Sequence, residues 1–462
     1  MRRLIWFVVV IVALTAVAVW LADNPGRVDI RWQNYALSTS VAVLAVAVAL
    51  VAVVCAVVYQ LWRWLRAGPR RLVAGRAARR REQGYLALTK GLVAVAAGDP
   101  KSARRHGRET GRLIDNPLNL LLLAQAAQLE GNETAARRHF RAMLEHAETE
   151  FLGLRGLLVQ ATKAGDWNAA LGHARRAYAL RPETEWVNSA LFDLEVRAGD
   201  WRGAQKALES AARHKHVGAA EEPRRRAVLL AERARAARAQ GRDDEALALA
   251  REAHKLAPDL VAANGLAAGL LAAAGKERAA ARLLEDGWAQ APHPDLARAY
   301  AALVPEERPL ERVKRFERLV RRNPGHAEGH MALAEAALAA ELWGAARAHL
   351  EAAVRERATQ RVFRLLATLE EREHADDAAA RGWLLRAASA PADAAWACDK
   401  CGAVSIAWGA RCDACGAFDA LAWKAPPAPA VAVAAAIEAT PLPAVADEAR
   451  PAVVVDATPV RE

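Results

Sequence analysis

Four of the five cysteines in this 462-residue chain lie in one short segment near the carboxyl terminus, WACDKCGAVSIAWGARCDACGAFDALAW. The segment contains two Cys-x-x-Cys-Gly motifs, formed by Cys398, Cys401, Cys412 and Cys415. Two such motifs can supply four thiolates to a tetrahedral metal ion, and the glycine after each pair permits the tight turn that points backbone N–H groups at sulfur. A segment this short cannot bury a core by itself, so we predict a structural zinc ribbon held by the four cysteines.

Two other chemistries use the same residue types. The ten-residue spacer between the motifs is shorter than the roughly 15 to 20 residues of the common zinc pattern. A rubredoxin-like iron centre takes the same four thiolates, and a redox-active dithiol pair is a further alternative. The fifth cysteine, Cys55, lies in an apolar segment, and we interpret it as a lipid-facing or packing residue.

The amino-terminal region predicts a membrane anchor. Residues 4–22 and 37–62 contain no charged side chain, and each segment reaches the about 20 apolar residues that a helix needs to cross a bilayer. The alternative for the first segment is a cleaved signal peptide after Met1-Arg2-Arg3. Its long apolar run, with a second span close behind, favours two spans.

Arginines set the predicted orientation. The loop at 23–36 is balanced in charge, whereas the second span is followed by eight arginines: Arg63, Arg66, Arg70, Arg71, Arg76, Arg79, Arg80 and Arg81. The positive-inside rule then places both termini in the cytoplasm and the short loop outside. The arginine cluster can contact anionic lipid headgroups. We predict no nucleic-acid partner, although the formal net charge is +11, because no recognition motif accompanies the cluster.

A repeat of about 34 residues occupies the middle of the chain. Its marker is a glycine with an alanine five positions later, and it begins at Gly98, Gly131, Gly165, Gly199, Gly241 and Gly275, with a variant at Glu341. This is the period of tetratricopeptide repeats, in which the glycine turns the chain and the alanine lets two helices lie close together. We expect eight or nine helical hairpins, degenerate near Pro309 and Ala375, stacked into a superhelix whose groove binds a protein partner.

Enzymatic motifs do not accompany this pattern. The twelve histidines are scattered. His326 and His330 are four residues apart, and we interpret them as solvated surface because no ligand pattern accompanies them. The chain carries neither a dinucleotide-binding nor a nucleotide-binding glycine motif, so we predict a protein without enzymatic activity, with no catalytic residues and no cofactor-binding residues.

The organisation predicted from these observations is all-α with a small metal module. A two-span anchor with a short periplasmic loop covers 1–66, and a basic juxtamembrane linker covers 67–81. The repeat superhelix covers 82–390, the four-cysteine ribbon 396–423, and a disordered Ala/Pro/Val tail 424–462.

The amino-terminal half resembles the proteobacterial HemY N-terminal family. The resemblance rests on WLADNPGRVDIRWQNYALSTS between the spans, then LTKGLVAVAAGDPKSARRH and the repeats that follow, and it is dense to about Asp200. It implies a two-span inner-membrane protein with cytoplasmic tetratricopeptide repeats and a link to late haem (protohaem) biosynthesis. No catalytic residue is implied by this family.

The ribbon resembles a second family, the rubredoxin-like tail of lipopolysaccharide assembly protein B. The matching residues are the two cysteine pairs, Trp408, Phe418, Asp419 and Leu421. That resemblance implies a membrane-anchored adaptor for membrane enzymes and a protease, with the four cysteines as metal ligands. The second family has one span, and the two spans predicted here favour the HemY-type interpretation.

Together these features predict a non-enzymatic scaffold. Two spans would tether it, the repeat groove would bind proteins of haem synthesis, and the ribbon would pack against the last repeats. The alternatives are a regulator of lipopolysaccharide assembly and a haem- or porphyrin-binding enzyme.

Overall fold

The structure is a computed structural model, and it describes residues 2–23, 26–32 and 35–426. These residues are largely helical, with two small antiparallel sheets. They divide after Gln160 into two compact units. The predicted tail, 424–462, lies outside the described residues from position 427 onwards.

The amino-terminal region holds two helices joined by a β-hairpin. Helix α1 is Arg2–Asp23, strands β1 and β2 are Arg27–Trp32 and Tyr35–Ser40, and helix α2 is Val41–Ala96. The strands pair in antiparallel register, with Val28 opposite Thr39. The sequence pattern predicted an all-α anchor and did not predict this β-hairpin.

One predicted span is supported more strongly than the other. Within residues 2–23, 26–32 and 35–426, one helical segment, Val41–Arg63, is long and apolar enough to cross a membrane, and none of it is buried. In α1 the apolar helical stretch is the shorter Ile11–Trp20, so two transmembrane helices are not confirmed. The predicted start of the second span at position 37 was wrong, because residues 37–40 pair with β1 as part of β2.

Helix α2 continues well beyond the apolar segment. It passes through the predicted juxtamembrane linker at 67–81 and ends at Ala96, where its last turns pack on the next helix. The predicted linker is therefore helical.

Within the described residues, up to position 426, seventeen further helices follow. They are α3 Pro100–Leu113, α4 Leu118–Leu129, α5 Glu133–Met143, α6 Glu150–Lys163, α7 Trp167–Leu180, α8 Glu185–Ala198, α9 Trp201–Arg213, α10 Glu222–Ala239, α11 Asp243–Leu256, α12 Val261–Ala273, α13 Glu277–Gln290, α14 Pro294–Ala302, α15 Pro309–Val320, α16 Ala327–Ala339, α17 Trp343–Glu356, α18 Gln360–His374 and α19 Asp377–Ser389. Most of them pack as consecutive pairs, among them α8–α9, α10–α11, α12–α13, α16–α17 and α18–α19. In each pair the even-numbered helix is the first helix of a hairpin.

The turn inside each hairpin has the conformation that the glycine marker predicts. The six marker glycines have φ between 69° and 74°, a left-handed conformation that glycine adopts without steric cost. In four repeats the next residue caps the second helix. Asp99, Asn132, Asp166 and Asp200 each accept a hydrogen bond from a backbone N–H three residues on. This capping satisfies one of the unpaired donors at the helix start.

The marker alanines are buried where two helices approach each other. Ala170, Ala204, Ala246, Ala280 and Ala346 are each 0% exposed. A methyl side chain at this position allows close helix packing, and a larger one would have to displace the neighbouring helix.

The degenerate repeats keep the turn without the glycine. Glu341 and Ala375 take the left-handed conformation themselves, with φ of 57° and 52°. The unit near Pro309 is also irregular, since α14 has only nine residues. Non-glycine residues pay a steric penalty in this conformation, so packing of the flanking helices must hold these turns.

The carboxyl-terminal segment forms a three-stranded antiparallel sheet in the order β4-β3-β5. The strands are β3 Ala395–Cys398, β4 Val404–Ser405 and β5 Leu421–Lys424. We call residues 395–424 the ribbon.

Candidate metal centre

The two cysteine motifs of the ribbon fold into nearly identical turns. In the first, the N–H of Cys398 donates to the carbonyl of Ala403 at 2.9 Å, and the N–H of Gly402 donates to the carbonyl of Cys398 at 2.9 Å. In the second, Cys412 and Gly416 repeat this pattern at 2.9 and 2.8 Å, with the carbonyl of Ala417 as the first acceptor. Gly402 and Gly416 have φ of 74° and 76°, so each turn needs its glycine, as the Cys-x-x-Cys-Gly spacing indicated.

The turns bring the four sulfur atoms together. All four Sγ atoms lie within 4.8 Å of one another. The Sγ atoms of Cys398 and Cys415 are 3.7 Å apart, and those of Cys401 and Cys412 are 3.8 Å apart. A tetrahedral site with metal–sulfur bonds of about 2.3 Å has sulfur–sulfur edges of about 3.8 Å, whereas a disulfide bond is about 2.05 Å. The spacing of the four sulfur atoms therefore fits a metal ion bound by four thiolates, and none of the four cysteines forms a disulfide bond.

Burial and electrostatics also suit a cation. Cys398 and Cys412 are buried, whereas Cys401 and Cys415 are exposed. Burial opposes ionisation of Cys398, but hydrogen bonds from the backbone N–H groups of Cys401 and Lys400 lower the pKa of its thiol to about 7. The N–H of Ala403 favours the thiolate of Cys401, yet contacts with the sulfur atoms of Cys415, Cys398 and Cys412 raise the pKa of Cys401 to about 12. Several thiolates in such a small space repel one another, and a bound cation would remove that repulsion.

The ribbon is docked on the helical repeats through polar contacts. Asp419, just before β5, accepts hydrogen bonds from Nε and Nη2 of Arg224 on α10 at 2.9 and 3.3 Å. The N–H of Ala410 donates to Oε1 of Glu232, also on α10, at 3.2 Å in a buried position. These bonds fix the ribbon at two points along one helix.

Aromatic contacts extend the interface between the ribbon and the repeats from α10 to α8 on one side and to the start of α14 on the other. Phe418 packs edge-on against Phe192 of α8, with ring centroids 5.0 Å apart. His293, which precedes α14, lies 5.1 Å from the ring of Trp396 and 4.2 Å from that of Trp423. Trp396, Trp408 and the buried cysteines belong to the same hydrophobic core as α10, α12, α13 and α16.

The position of the ribbon differs from the expectation that it packs against the last repeats. The segment before it does contact α18, where the N–H groups of Gln360 and Arg361 donate to the carbonyl of Pro391 and to Asp393. The ribbon itself, however, folds back onto α8, α10 and the start of α14. No short sequence pattern marks Phe192, Arg224 or Glu232 as its partners, so sequence reasoning missed them.

The histidines that share a predicted helix face do not share a site. His326 caps α16 by accepting the N–H of Glu328 at 3.1 Å, and His330 lies beside His349 with their Nδ1 atoms 3.3 Å apart. Both side chains are partly buried. The interpretation of these histidines as solvated surface residues was therefore wrong about their exposure.

Comparison with known proteins supports the HemY resemblance. The family model described as the HemY protein N-terminus matches residues 26–131. Over 416 residues the chain is 29% identical to the probable magnetosome protein Mms48 of Magnetospirillum gryphiswaldense, covering 88% of this chain and 90% of the relative. Over 224 residues it is 29% identical to protein HemY of Escherichia coli K12, covering 47% of this chain and 55% of the relative. The resemblance to HemY is thereby confirmed.

Solved structures match the repeats only loosely. The TPR2AB domain of yeast Sti1 in complex with pHSP90 matches with 14% identity and a TM-score of 0.29, covering 66% of this chain and 99% of that one. The Naa15/Naa10 structure bound to HypK-THB matches with 14% identity and a TM-score of 0.39, covering 67% of this chain and 50% of that one. The repeat assignment therefore rests on the turns and helix pairs of this chain.

Proposed function

We propose that this HemY-like chain is a non-enzymatic scaffold of the bacterial inner membrane, with two spans and cytoplasmic repeats, and that it supports late haem biosynthesis through protein–protein contacts. The observation that carries the proposal is a 23-residue apolar segment, Val41–Arg63, with no buried residue, which continues within α2 into an array of helical hairpins. A membrane anchor joined to a stacked-repeat surface provides tethering and recognition without catalytic chemistry.

The proposed orientation follows from the arginines after the apolar segment, which favour the cytoplasmic side. In that orientation the β1–β2 hairpin faces the periplasm, and the ribbon lies in the reducing cytoplasm. Structural disulfides are rare there, which favours metal ligation by the four cysteines. We propose Zn²⁺ as the ion, with iron as the alternative, because both accept four thiolates at similar distances.

The haem link comes from the HemY resemblance. The chain spans about half the length of the E. coli HemY protein it matches, and the family match covers the region from β1 to the start of the second hairpin turn. Shared sequence in the anchor and first repeats supports a shared membrane setting.

Cross-linking in intact cells tests the scaffold function. The full chain would be cross-linked, extracted in detergent and recovered, and the attached proteins would be identified by mass spectrometry. We expect late haem-pathway enzymes to be enriched over a chain truncated after Ala96, which keeps the apolar segment and removes the later helices. A deletion strain with normal haem and porphyrin levels, together with equal recovery by both chains, would refute the proposal.

A second candidate function is regulation of lipopolysaccharide assembly. The observation that favours it is the ribbon itself, since its four clustered sulfurs and its docking on the repeats match the combination implied by the second resemblance. In that case the cross-linked proteins would be lipopolysaccharide enzymes or a membrane protease, and the deletion strain would show altered envelope lipid with unchanged haem.

A further inference from the structure

A cleft of about 770 Å³ separates the ribbon from the repeats. On one side it is lined by the ribbon tryptophans Trp396, Trp408 and Trp423. On the other side it is lined by residues of α10, α12, α14, α16, α18 and their connections. Most of these are first helices of their hairpins, and the last residues of two second helices, Gln290 of α13 and Glu356 of α17, complete the lining.

The charge of the cleft is opposite to that of the chain. Three guanidinium groups line the cleft, Arg224, Arg357 and Arg361. Six carboxylates line it, namely Asp259, Glu328, Glu356, Asp393, Asp399 and Asp419. The cleft therefore has an excess of three negative charges in a chain whose formal net charge is +11. Clefts lined by one sign of charge concentrate ligands of the opposite sign.

Two of the three arginines in the cleft, Arg224 and Arg361, already hold carboxylates. Arg224 pairs with Asp419 at 2.9 Å and with Asp259 at 2.5 Å. Arg361 pairs with Glu328 at 2.9 Å and with Glu335, outside the cleft, at 2.7 Å. Asp399 is held by Lys424. Adding Glu335 and Lys424 leaves the negative excess unchanged, because they contribute one charge of each sign.

Two buried polar atoms of residues lining the cleft lack partners among the described residues: Nε2 of His293 and Oγ1 of Thr359. The His293 side chain is 2% exposed and Thr359 is 5% exposed. The N–H of Asp295 donates to Nδ1 of His293 at 3.0 Å, so Nδ1 is the acceptor and a neutral ring carries its hydrogen on Nε2. A buried donor without an acceptor is costly, and both atoms therefore point to a ligand that brings polar groups.

We propose that this cleft binds an extended, basic segment of a protein partner. Lysine or arginine side chains of the segment would meet the carboxylates and the partly exposed indole of Trp423, since indole faces attract cations. A backbone carbonyl of the segment would accept the Nε2–H of His293. A small cation would leave most of this volume empty and the histidine donor unpaired, whereas a peptide supplies both a cation and an acceptor. The inference rests on the proposed scaffold function and names the chemistry of its partner.

The ribbon supplies an essential part of this site. All three tryptophans and two of the carboxylates, Asp399 and Asp419, belong to the ribbon. The site therefore requires a folded, docked ribbon, and the four-cysteine centre would control binding without contacting the peptide.

Fluorescence anisotropy on the full chain in a zwitterionic detergent tests the inference. The probes are fluorescein-labelled ten-residue peptides in which alanine alternates with lysine, glutamine or glutamate. We expect the lysine peptide to bind and the other two to bind at least tenfold more weakly, and we expect its affinity to fall as salt rises. The positive net charge of the chain disfavours non-specific attraction of this probe.

The matched variants change charges at the edge of the cleft. Asp259→Asn combined with Glu356→Gln should weaken binding of the lysine peptide about tenfold. The control Glu351→Gln, an exposed change on the same helix as Glu356 but outside the cleft, should change binding less than twofold. Equal binding of the lysine and glutamine peptides, or equal effects of the two variants, would overturn the inference.

The same double variant separates this inference from the scaffold proposal. If it recovers the same cross-linked partners from cells as the unchanged chain, the scaffold stands and the cleft inference fails. If the lysine peptide binds the cleft but no partner is recovered from cells by the unchanged chain, the peptide site stands and the scaffold proposal fails.

Discussion

Arg224 and Asp419 are 195 positions apart in the chain, yet they form a two-point hydrogen-bonded ion pair that joins α10 to the ribbon. Asp419 is 16% exposed and Arg224 is 34% exposed, so solvent screens the pair only in part. Asp259 holds the other side of the same guanidinium group. The side chain of Arg224 is thus fixed between a repeat and the ribbon.

Replacing Asp419 should loosen the ribbon. Asp419→Asn removes the charge and keeps a residue that tolerates the left-handed φ of 48° found there. Since hydrogen bonds to charged groups contribute about 1.5 to 3 kcal/mol and partial exposure reduces this, we expect docking to weaken by about 1 to 2 kcal/mol. Faster hydrogen exchange of amides 395–424 would report it. Asp413→Asn, an exposed change on the ribbon, is the control, and equal exchange in both variants would contradict the prediction.

Removing two thiolates should release the metal. Cys412→Ser with Cys415→Ser leaves two sulfur ligands, so we expect loss of the bound ion from the purified full chain and rapid exchange of the ribbon amides. Elemental analysis identifies the metal as zinc or iron. Cys55→Ser, which changes the cysteine outside the cluster, should keep one ion per chain. A double variant with full metal content would rule out tetrathiolate ligation.

Acid should destabilise the ribbon interface through His293. Burial lowers the pKa of His293 from 6.5 to about 4, and the nearby Asp295 offsets this only in part. Because the folded pKa is depressed, the stabilisation is complete above pH 6.5 and is lost as pH falls from 6.5 towards 4. We expect a loss of about 2 kcal/mol between pH 7 and pH 5.

The variant His293→Asn tests whether His293 causes the loss of stability at low pH. Asparagine can still accept the N–H of Asp295 at the start of α14, but it does not titrate in this range. Denaturant unfolding followed by tryptophan fluorescence at the two pH values should therefore show about 2 kcal/mol less pH dependence than the unchanged chain. His374→Asn, at a side chain that is 58% exposed, should leave the pH dependence unchanged. If both variants behave alike, His293 is not the titrating group.

The turn at Ala375 should be improved by glycine. Its φ of 52° costs a non-glycine residue roughly 1 to 2 kcal/mol, part of which is returned by the lower entropy of the unfolded chain. We expect Ala375→Gly to stabilise the α18–α19 hairpin by about 0.5 to 1 kcal/mol in thermal unfolding. The reciprocal change Gly275→Ala, at φ of 69°, should destabilise by about 1 kcal/mol. A destabilised Ala375→Gly chain would contradict this account.

The buried marker alanines should not tolerate larger side chains. Ala170 is 0% exposed, and Ala170→Leu would force the paired helices apart at a cost of about 1 to 3 kcal/mol. Ala179→Leu lies on the exposed side of the same helix and should change the free energy of unfolding by less than about 0.5 kcal/mol. The comparison can be made by denaturant unfolding, and equal losses would show that the Ala170 site is not close-packed.

Local patterns in the sequence predicted much of this structure. A glycine that must take a positive φ and an alanine that must lie between two helices recur at a fixed interval, so both could be recognised at Gly165 and Ala170. The clustering of the four cysteines was likewise predictable, because the two turns that bring their sulfur atoms together depend on short spacings within the chain.

Long-range pairings and ambiguous short segments could not be predicted in this way. Phe192 and Arg224 are residue types found on most helices, and only the folded chain brings them to Phe418 and Asp419. The start of α2 was misplaced for a different reason. Residues 37–40, LSTS, carry no charge and extend an apolar run, but backbone pairing with β1 holds them in an extended strand.

The docked ribbon also affects how the repeat array can deform. An array of stacked repeats can bend and extend, because small rotations between neighbouring repeats add along the array. The ribbon contacts α8, α10 and the start of α14 at once, and the segment before it is bonded to α18. The ribbon therefore links helices of several repeats, and extension of this part of the array requires the contacts of the ribbon to break. The resistance of this part of the repeat array to extension would then depend on whether the four sulfur atoms of the ribbon hold an ion.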